Sequence, residues 1–191
     1  MVLHLLSGDL ESPHLTITLD RLDEFANLEA LFQNRSADQV LNNARVNWLH
    51  QFFEDTEIPD GTIDLLTSRS VLEHVTHVER CFDKLALVMR PGGVMYHDID
   101  LSAHSKDDTF EFYSRRPDHT TTRSVARLNE LRLSDYLAHF ERRGFESAVV
   151  RKDQAATYHL DRTRLQPRFS TYPDDELLCT QVVLVSRKRP R

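Results

Sequence analysis

The stretch from Ile58 to His104 limits the fold of this chain more than any other. It reads I-P-D-G-T-I-D-L-L-T-S-R-S-V-L-E-H-V, then a helical segment, then V-M-R-P-G-G-V-M-Y-H-D-I-D-L. Pro59-Asp60-Gly61 is a turn signal, and Ile63 to Thr67 is a short apolar run suited to a buried parallel strand. Phe82, Leu85, Ala86 and Met89 recur on one face of a predicted helix from about Val78 to Met89. Pro91-Gly92-Gly93 is expected to stop that helix, because proline cannot continue the backbone bonding and glycine accepts the positive φ of a cap. Val94 to Ile99 reads as a second buried strand. Strand, polar turn, amphipathic helix and strand in that order make a βαβ unit.

The flanking sequence extends the alternation. Leu15 to Leu19 is β-branched and alternating, a strand that delivers Asp20 at its end, and Leu22, Phe25, Leu28, Leu31 and Phe32 follow at helical spacing. Val46 to Leu49 is a weaker strand signal. Ser102 to Arg127 is polar and poor in aliphatics, so a lid or substrate loop is expected over about 102–130. Ser134 is the expected cap of a helix carrying Tyr136, Leu137 and Phe140 and ending at Arg142-Arg143-Gly144. Phe145 to Val150 and Leu177 to Ser186 read as a closing strand pair. The pattern predicts one α/β domain over 1–191, a Rossmann-like, doubly wound, mostly parallel sheet with helices on both faces and an antiparallel last strand.

Composition removes several function classes. A net charge of −6 and a pI near 5.9 argue against a sequence-independent grip on nucleic acid, which needs clustered cations; only Ser186 to Arg191 is strongly basic. Cys81 and Cys179 are far apart, with no C-x-x-C, and read as buried apolar residues of a reducing compartment. No segment approaches the roughly 18 continuous apolar residues of a membrane span. A cytoplasmic protein with no membrane or nucleic-acid partner is the expectation.

S-R-S-V-L-E-H after a strand ending D-L-L, followed by R-P-G-G, resembles the second half of the class I S-adenosylmethionine-dependent methyltransferase domain of the type 11 kind. R-L-S-D-Y-L-x-x-F-x-x-x-G-F resembles the helix leading into its sixth strand, and L-L-C-T-Q-V-V-L-V-S-R-K its antiparallel seventh. The resemblance implies S-adenosyl-L-methionine as cofactor and a small-molecule acceptor. It places Asp20 as the carboxylate for the ribose hydroxyls, a role that competes with simple helix capping. Ser68, Arg69, Ser70 and Val71 occupy the turn expected to meet the methionine end. His74 is the candidate general base, against a reading in which it orients the loop, and Glu73 is expected to organise that loop by hydrogen bonding. His97, Asp100 and His104 are substrate-side candidates. A metal shared by His97, Asp98, Asp100 and His104 is not expected, since strand alternation sends His97 and Asp98 to opposite faces.

One departure matters. The chain has five glycines and no G-x-G, so the glycine-rich turn that follows the first central strand in that family is missing or degenerate. Either Val2 to Leu6 is the remnant of the helix after that turn, or V-L-H-L-L-S-G-D is a degenerate first strand and turn. The first is favoured, because the second leaves too few residues before Leu15 for a parallel crossover. An N-terminally shortened or degenerate methyltransferase domain is therefore expected, either active or a catalytically silent binding domain or gene fragment. A nucleotide-sugar or dinucleotide-binding protein is disfavoured, since its glycine fingerprint is missing too.

Overall fold

The computed structural model describes residues 4–6, 49, 51–103, 113, 128–155 and 159–190. The Leu15 strand, the helix after it, Asp20, His104 and most of the 102–130 loop lie outside those residues. The chain divides into two units, one of Met1–Ser7 with Ile58–Arg191 and one of Gly8–Glu57. In the smaller unit a 3-10 turn spans Phe53–Asp55, closed by the Thr56 hydroxyl donating to the Phe53 carbonyl at 2.8 Å.

The larger unit is built on a five-stranded sheet. Its strands are β1 (His4–Leu6), β2 (Ile63–Arg69), β3 (Met89–Asp100), β4 (Phe145–Gln154) and β5 (Cys179–Lys188), in the order β1-β2-β3-β5-β4. Only β2 and β3 run parallel among the described residues; β1 is antiparallel to β2, and β5 is antiparallel to both β3 and β4. The sheet is therefore mixed, with the expected parallel βαβ unit at its centre and the expected antiparallel closing pair. His4–Leu6 lies in the sheet as a strand against Leu65–Thr67, so the helix-remnant reading of Val2 to Leu6 is corrected. Backbone pairing beside β2 satisfies groups that a helical remnant would leave open on that strand.

Helix α1 spans Val78–Val88, as its apolar spacing predicts. It stops before Pro91-Gly92-Gly93: Met89 is already extended, while its N–H closes the last turn on Leu85. The proline and glycines instead form a bulge in β3. Ile63 pairs with Met89 and Leu65 with Val94, so Arg90 to Gly93 bow out opposite Asp64. Both glycines are needed there. Gly92 has φ +82°, and a Cβ on Gly93 would lie 2.9 Å from the Ile63 carbonyl oxygen. The ammonium of Lys188 closes the end of α1, donating to the carbonyls of Ala86 and, at 2.9 Å, Met89.

Helix α2 (Leu133–Arg142) begins two residues earlier than expected, with Arg132 rather than Ser134 as its N-cap. The Arg132 N–H donates to the Asp135 carboxylate at 2.8 Å, and Ser134 at the second helical position donates its own N–H to Glu176 at 2.6 Å. Gly144, with φ +80°, ends α2 as expected. Both helices cover the same face of the sheet. Phe82 of α1 packs on Phe140 at 4.9 Å and stacks on His139 at 4.6 Å, and Phe140 meets Phe145 edge-on at 5.9 Å. Arg143 ties the two helices at the rim, donating to Asp83 at 2.8 Å and pairing with Glu79, whose carboxyl it holds below the usual range.

Candidate site at the mouth of the central strands

The C-terminal ends of β2 and β3 lie side by side, with Ser68 opposite His97 and Arg69 opposite Asp98. In a parallel pair of an α/β sheet this edge is where ligands bind, because the loops leaving it are free to diverge. Three loops converge on it here. The first is the turn after β2, where Ser70 takes φ +49° and its N–H bonds the Asp98 carbonyl at 2.8 Å. A serine held in the left-handed region at a strand end is stored strain of a kind that clusters at functional sites. Val71 follows as the N-cap of a 3-10 turn, Leu72–His74.

The second is the segment before α2. Asn129 fastens it to the 3-10 turn: its N–H donates to the Glu73 carbonyl at 2.8 Å and its side chain to the Leu72 carbonyl at 2.6 Å. The Tyr136 hydroxyl donates to the Asn129 side chain at 3.2 Å. The third is the connection from β4 to β5, whose Leu165, Phe169 and Leu177 form a small core with Tyr113 of the loop after β3. The aromatics of the 102–130 loop are expected to anchor it or to floor a pocket; Tyr113 anchors it, donating to the Leu177 carbonyl at 2.7 Å beneath the Arg132 guanidinium.

Arg132 pins these loops together. Almost wholly buried, it donates to the carbonyls of Leu101 at 2.8 Å, Cys179 at 2.6 Å and Glu176 at 3.2 Å. No sequence pattern marks it, since an arginine before a helix is ordinarily solvated.

The sequence-predicted residues separate into distinct environments. His97 is fully buried under α2: Nδ1 shares a 2.7 Å hydrogen bond with the Ser68 hydroxyl, and the ring stacks on Phe140 at 5.4 Å. Burial pushes its pKa down to about 3, so the imidazole is neutral. Asp98 faces the other way, accepting from Gln181 at 2.6 Å with Arg69 at 3.8 Å and Arg151 at 3.5 Å. That opposition is what strand alternation requires, and no group of three or more metal-binding side chains forms among the described residues. Asp100 accepts from the N–H and hydroxyl of Ser102 at 2.8 and 2.6 Å. His74 is part-exposed at the rim, its Nε2 3.9 Å from Glu73.

Glu73 departs most from expectation. Only 2% exposed, it has among the described residues no partner in good hydrogen-bond geometry on either carboxylate oxygen, so its side chain does not fasten the loop to another element. Burial, reinforced by the nearby Asp100 and Asp98 charges, pushes its pKa up to about 7. Its main-chain carbonyl does the organising, through Asn129. The L-E-H string shows a carboxylate in a turn, but its desolvation comes from partners remote in sequence.

Residues 15–97 match the family model described as a methyltransferase domain. No curated protein sequence matches the chain. Among solved structures, the YcgJ protein from Bacillus subtilis is 15% identical, with a TM-score of 0.51 over 90% of this chain and 80% of that one. A SAM-dependent methyltransferase from Methanosarcina mazei is 13% identical, with a TM-score of 0.50 over 81% of this chain and 76% of its own. At such identities the likeness is one of fold.

Proposed function

We propose that this chain, which carries a methyltransferase-domain match over residues 15–97 and resembles the class I S-adenosylmethionine-dependent methyltransferases in fold, transfers a methyl group from S-adenosyl-L-methionine to a small-molecule acceptor. The observation that carries the reading is the mouth of β2 and β3, where the left-handed Ser70 turn meets a group of carboxylates. The cofactor, when bound, supplies an electrophilic methyl on a sulfonium cation. An edge bearing Glu73, Asp98 and Asp100 is chemically suited to that positive charge, and the Ser68–Val71 turn offers main-chain groups to the amino-acid end. Asp20 as the ribose carboxylate rests on the sequence resemblance alone.

Within this reading the protein acts mainly by holding two reactants in line, since orientation alone supplies a large part of such rate enhancements. His74 at the rim, or Glu73 behind it, takes the acceptor's proton. His97 and Ser68 support β2 and β3 from below rather than meeting substrate. His104 keeps the substrate-side role proposed from its place in H-D-I-D-L-S-A-H, and Asp100 holds the first turn after β3 through Ser102.

A second reading, a silent methyltransferase-like binding domain, is favoured by the missing G-x-G and by the antiparallel β1 beside β2. Calorimetric titration with S-adenosylmethionine separates the two. Micromolar binding, followed by radiolabelled methyl transfer into a metabolite extract, supports the enzyme. Binding without transfer leaves the silent domain.

A further inference from the structure

The mouth holds a buried group for which the fold has no use. Among the described residues neither oxygen of Glu73 has a donor in good hydrogen-bond geometry, and the main-chain groups of Glu73 and Asp100 only partly offset its burial, although withdrawing a carboxylate from water is costly unless it is paired or protonated. Its charged surroundings are mostly of its own sign. Asp98 and Asp100 of β3 both act on it unfavourably. From α2 it meets Tyr136, whose hydroxyl is turned to Asn129. The imidazole of its own turn, His74, stands 3.9 Å away at the rim, and Arg69, mostly exposed, leans toward Asp98 instead. Asp98 and Asp100 already have partners in Gln181, Arg151 and Ser102, so the carboxylate left to compensate is that of Glu73. An anionic acceptor would be repelled from it, a neutral alcohol would leave its charge unpaired, and a slim cation with N–H donors would satisfy it.

From this we infer that Glu73 is the counter-ion and proton acceptor of an ammonium group, which makes the acceptor a primary or secondary alkylamine. The inference deepens the methyltransferase reading and rests on it. The ammonium gives one proton to the Glu73 carboxylate, which frees the nitrogen lone pair. The N–C bond then forms as the methyl–sulfur bond breaks, with the sulfur keeping the electron pair. The product leaves as the methylated ammonium, and the carboxylic acid returns its proton to water. A carboxyl titrating near neutrality is suited to this exchange at working pH.

The same ammonium chemistry is present at the amino-acid end of the cofactor, so the test must tell the two sources apart. The Glu73 carboxyl carbon is followed by carbon-13 NMR across pH, with its signal identified by its loss in Glu73→Gln. Butylammonium chloride is added to the protein alone and to the protein saturated with S-adenosylhomocysteine; butanol and tetramethylammonium serve as controls. Butylammonium, unlike either control, is expected to lower the Glu73 midpoint by about one pH unit, a tenfold preference for the charged form. Glu73→Gln should weaken butylammonium binding about tenfold while S-adenosylhomocysteine affinity stays unchanged. An unmoved midpoint overturns the proposal, as does a midpoint moved by S-adenosylhomocysteine alone with butylammonium then excluded. Failure of S-adenosylhomocysteine to bind at all sinks the methyltransferase reading instead, and the butylammonium arm still decides the role of Glu73. With transfer established, Glu73→Gln is expected to slow methylation of butylamine about 100-fold and to remove the pH limb near neutrality.

Discussion

His97 and Glu73 belong to two regions, the helix-covered face of the sheet and the mouth of its central strands. Both are ionisable and both are withdrawn from water. On the covered face the imidazole is neutral, stacked on Phe140 and bonded to Ser68 through Nδ1, and its unpartnered Nε2 carries no charge, so burial is compatible with a packed core. At the mouth the carboxylate has no good hydrogen bond among the described residues and its pKa is pushed up to about 7, with two further carboxylates nearby. Burial alone therefore does not mark function. The difference lies in what is buried: a neutral ring with one nitrogen bonded and its face stacked, against a carboxylate with neither oxygen in a good hydrogen bond.

The comparison can be broken most severely at Arg132, which closes the mouth. Arg132→Met leaves the Leu101, Glu176 and Cys179 carbonyls without their donor and should cost about 4 kcal/mol, measured by urea unfolding. A loss below about 1 kcal/mol would mean that the loops are held by the Tyr113 core alone. His97→Ala is next, at about 3 kcal/mol, from the lost stacking, the cavity beneath α2 and the orphaned Ser68 hydroxyl. Retention of stability there would remove the imidazole from the core.

Glu73→Gln should act in the opposite direction. A carboxyl whose folded pKa lies above its unfolded value binds more protons in the folded state, so stability falls as pH rises from about 4.5 to about 7. The variant should be more stable than the parent above pH 7, by about 2 kcal/mol, with a flatter profile across that window. Destabilisation would show a bonded carboxylate and end the contrast with His97. For His97 the folded pKa is depressed, so its contribution is complete above the unfolded value of about 6.5 and is lost as pH falls toward 3. Replacing it should flatten the acid side of the profile. Ser68→Ala is the smallest change, about 1 kcal/mol, since it removes one hydrogen bond of the ring.

Much of the frame was readable along the chain. The helical spacing of Phe82 and Leu85, the apolar run Ile63 to Leu66 and the Arg142-Arg143-Gly144 stop each act over a few residues, and each element formed within a residue or two of its expected limits. Pro91-Gly92-Gly93 was misleading because a helix stop and a strand bulge make the same demand, a positive φ and no Cβ. The face of His97 opposite Asp98 followed from alternation, but that α2 would cover that face did not.

By itself, then, the sequence determined the order of elements, the parallel unit at the centre, the antiparallel close and the absence of any G-x-G turn. These depend on periodicity and on backbone preferences that act locally. The tertiary structure alone decided that Arg132 would be buried among carbonyls, that His97 would be core and that Glu73 would be buried with no good hydrogen bond among the described residues. Solvation is set by neighbours in space, and those of Glu73 come from Asp98 and Asp100 of one strand and from Asn129 and Tyr136 some sixty positions further on.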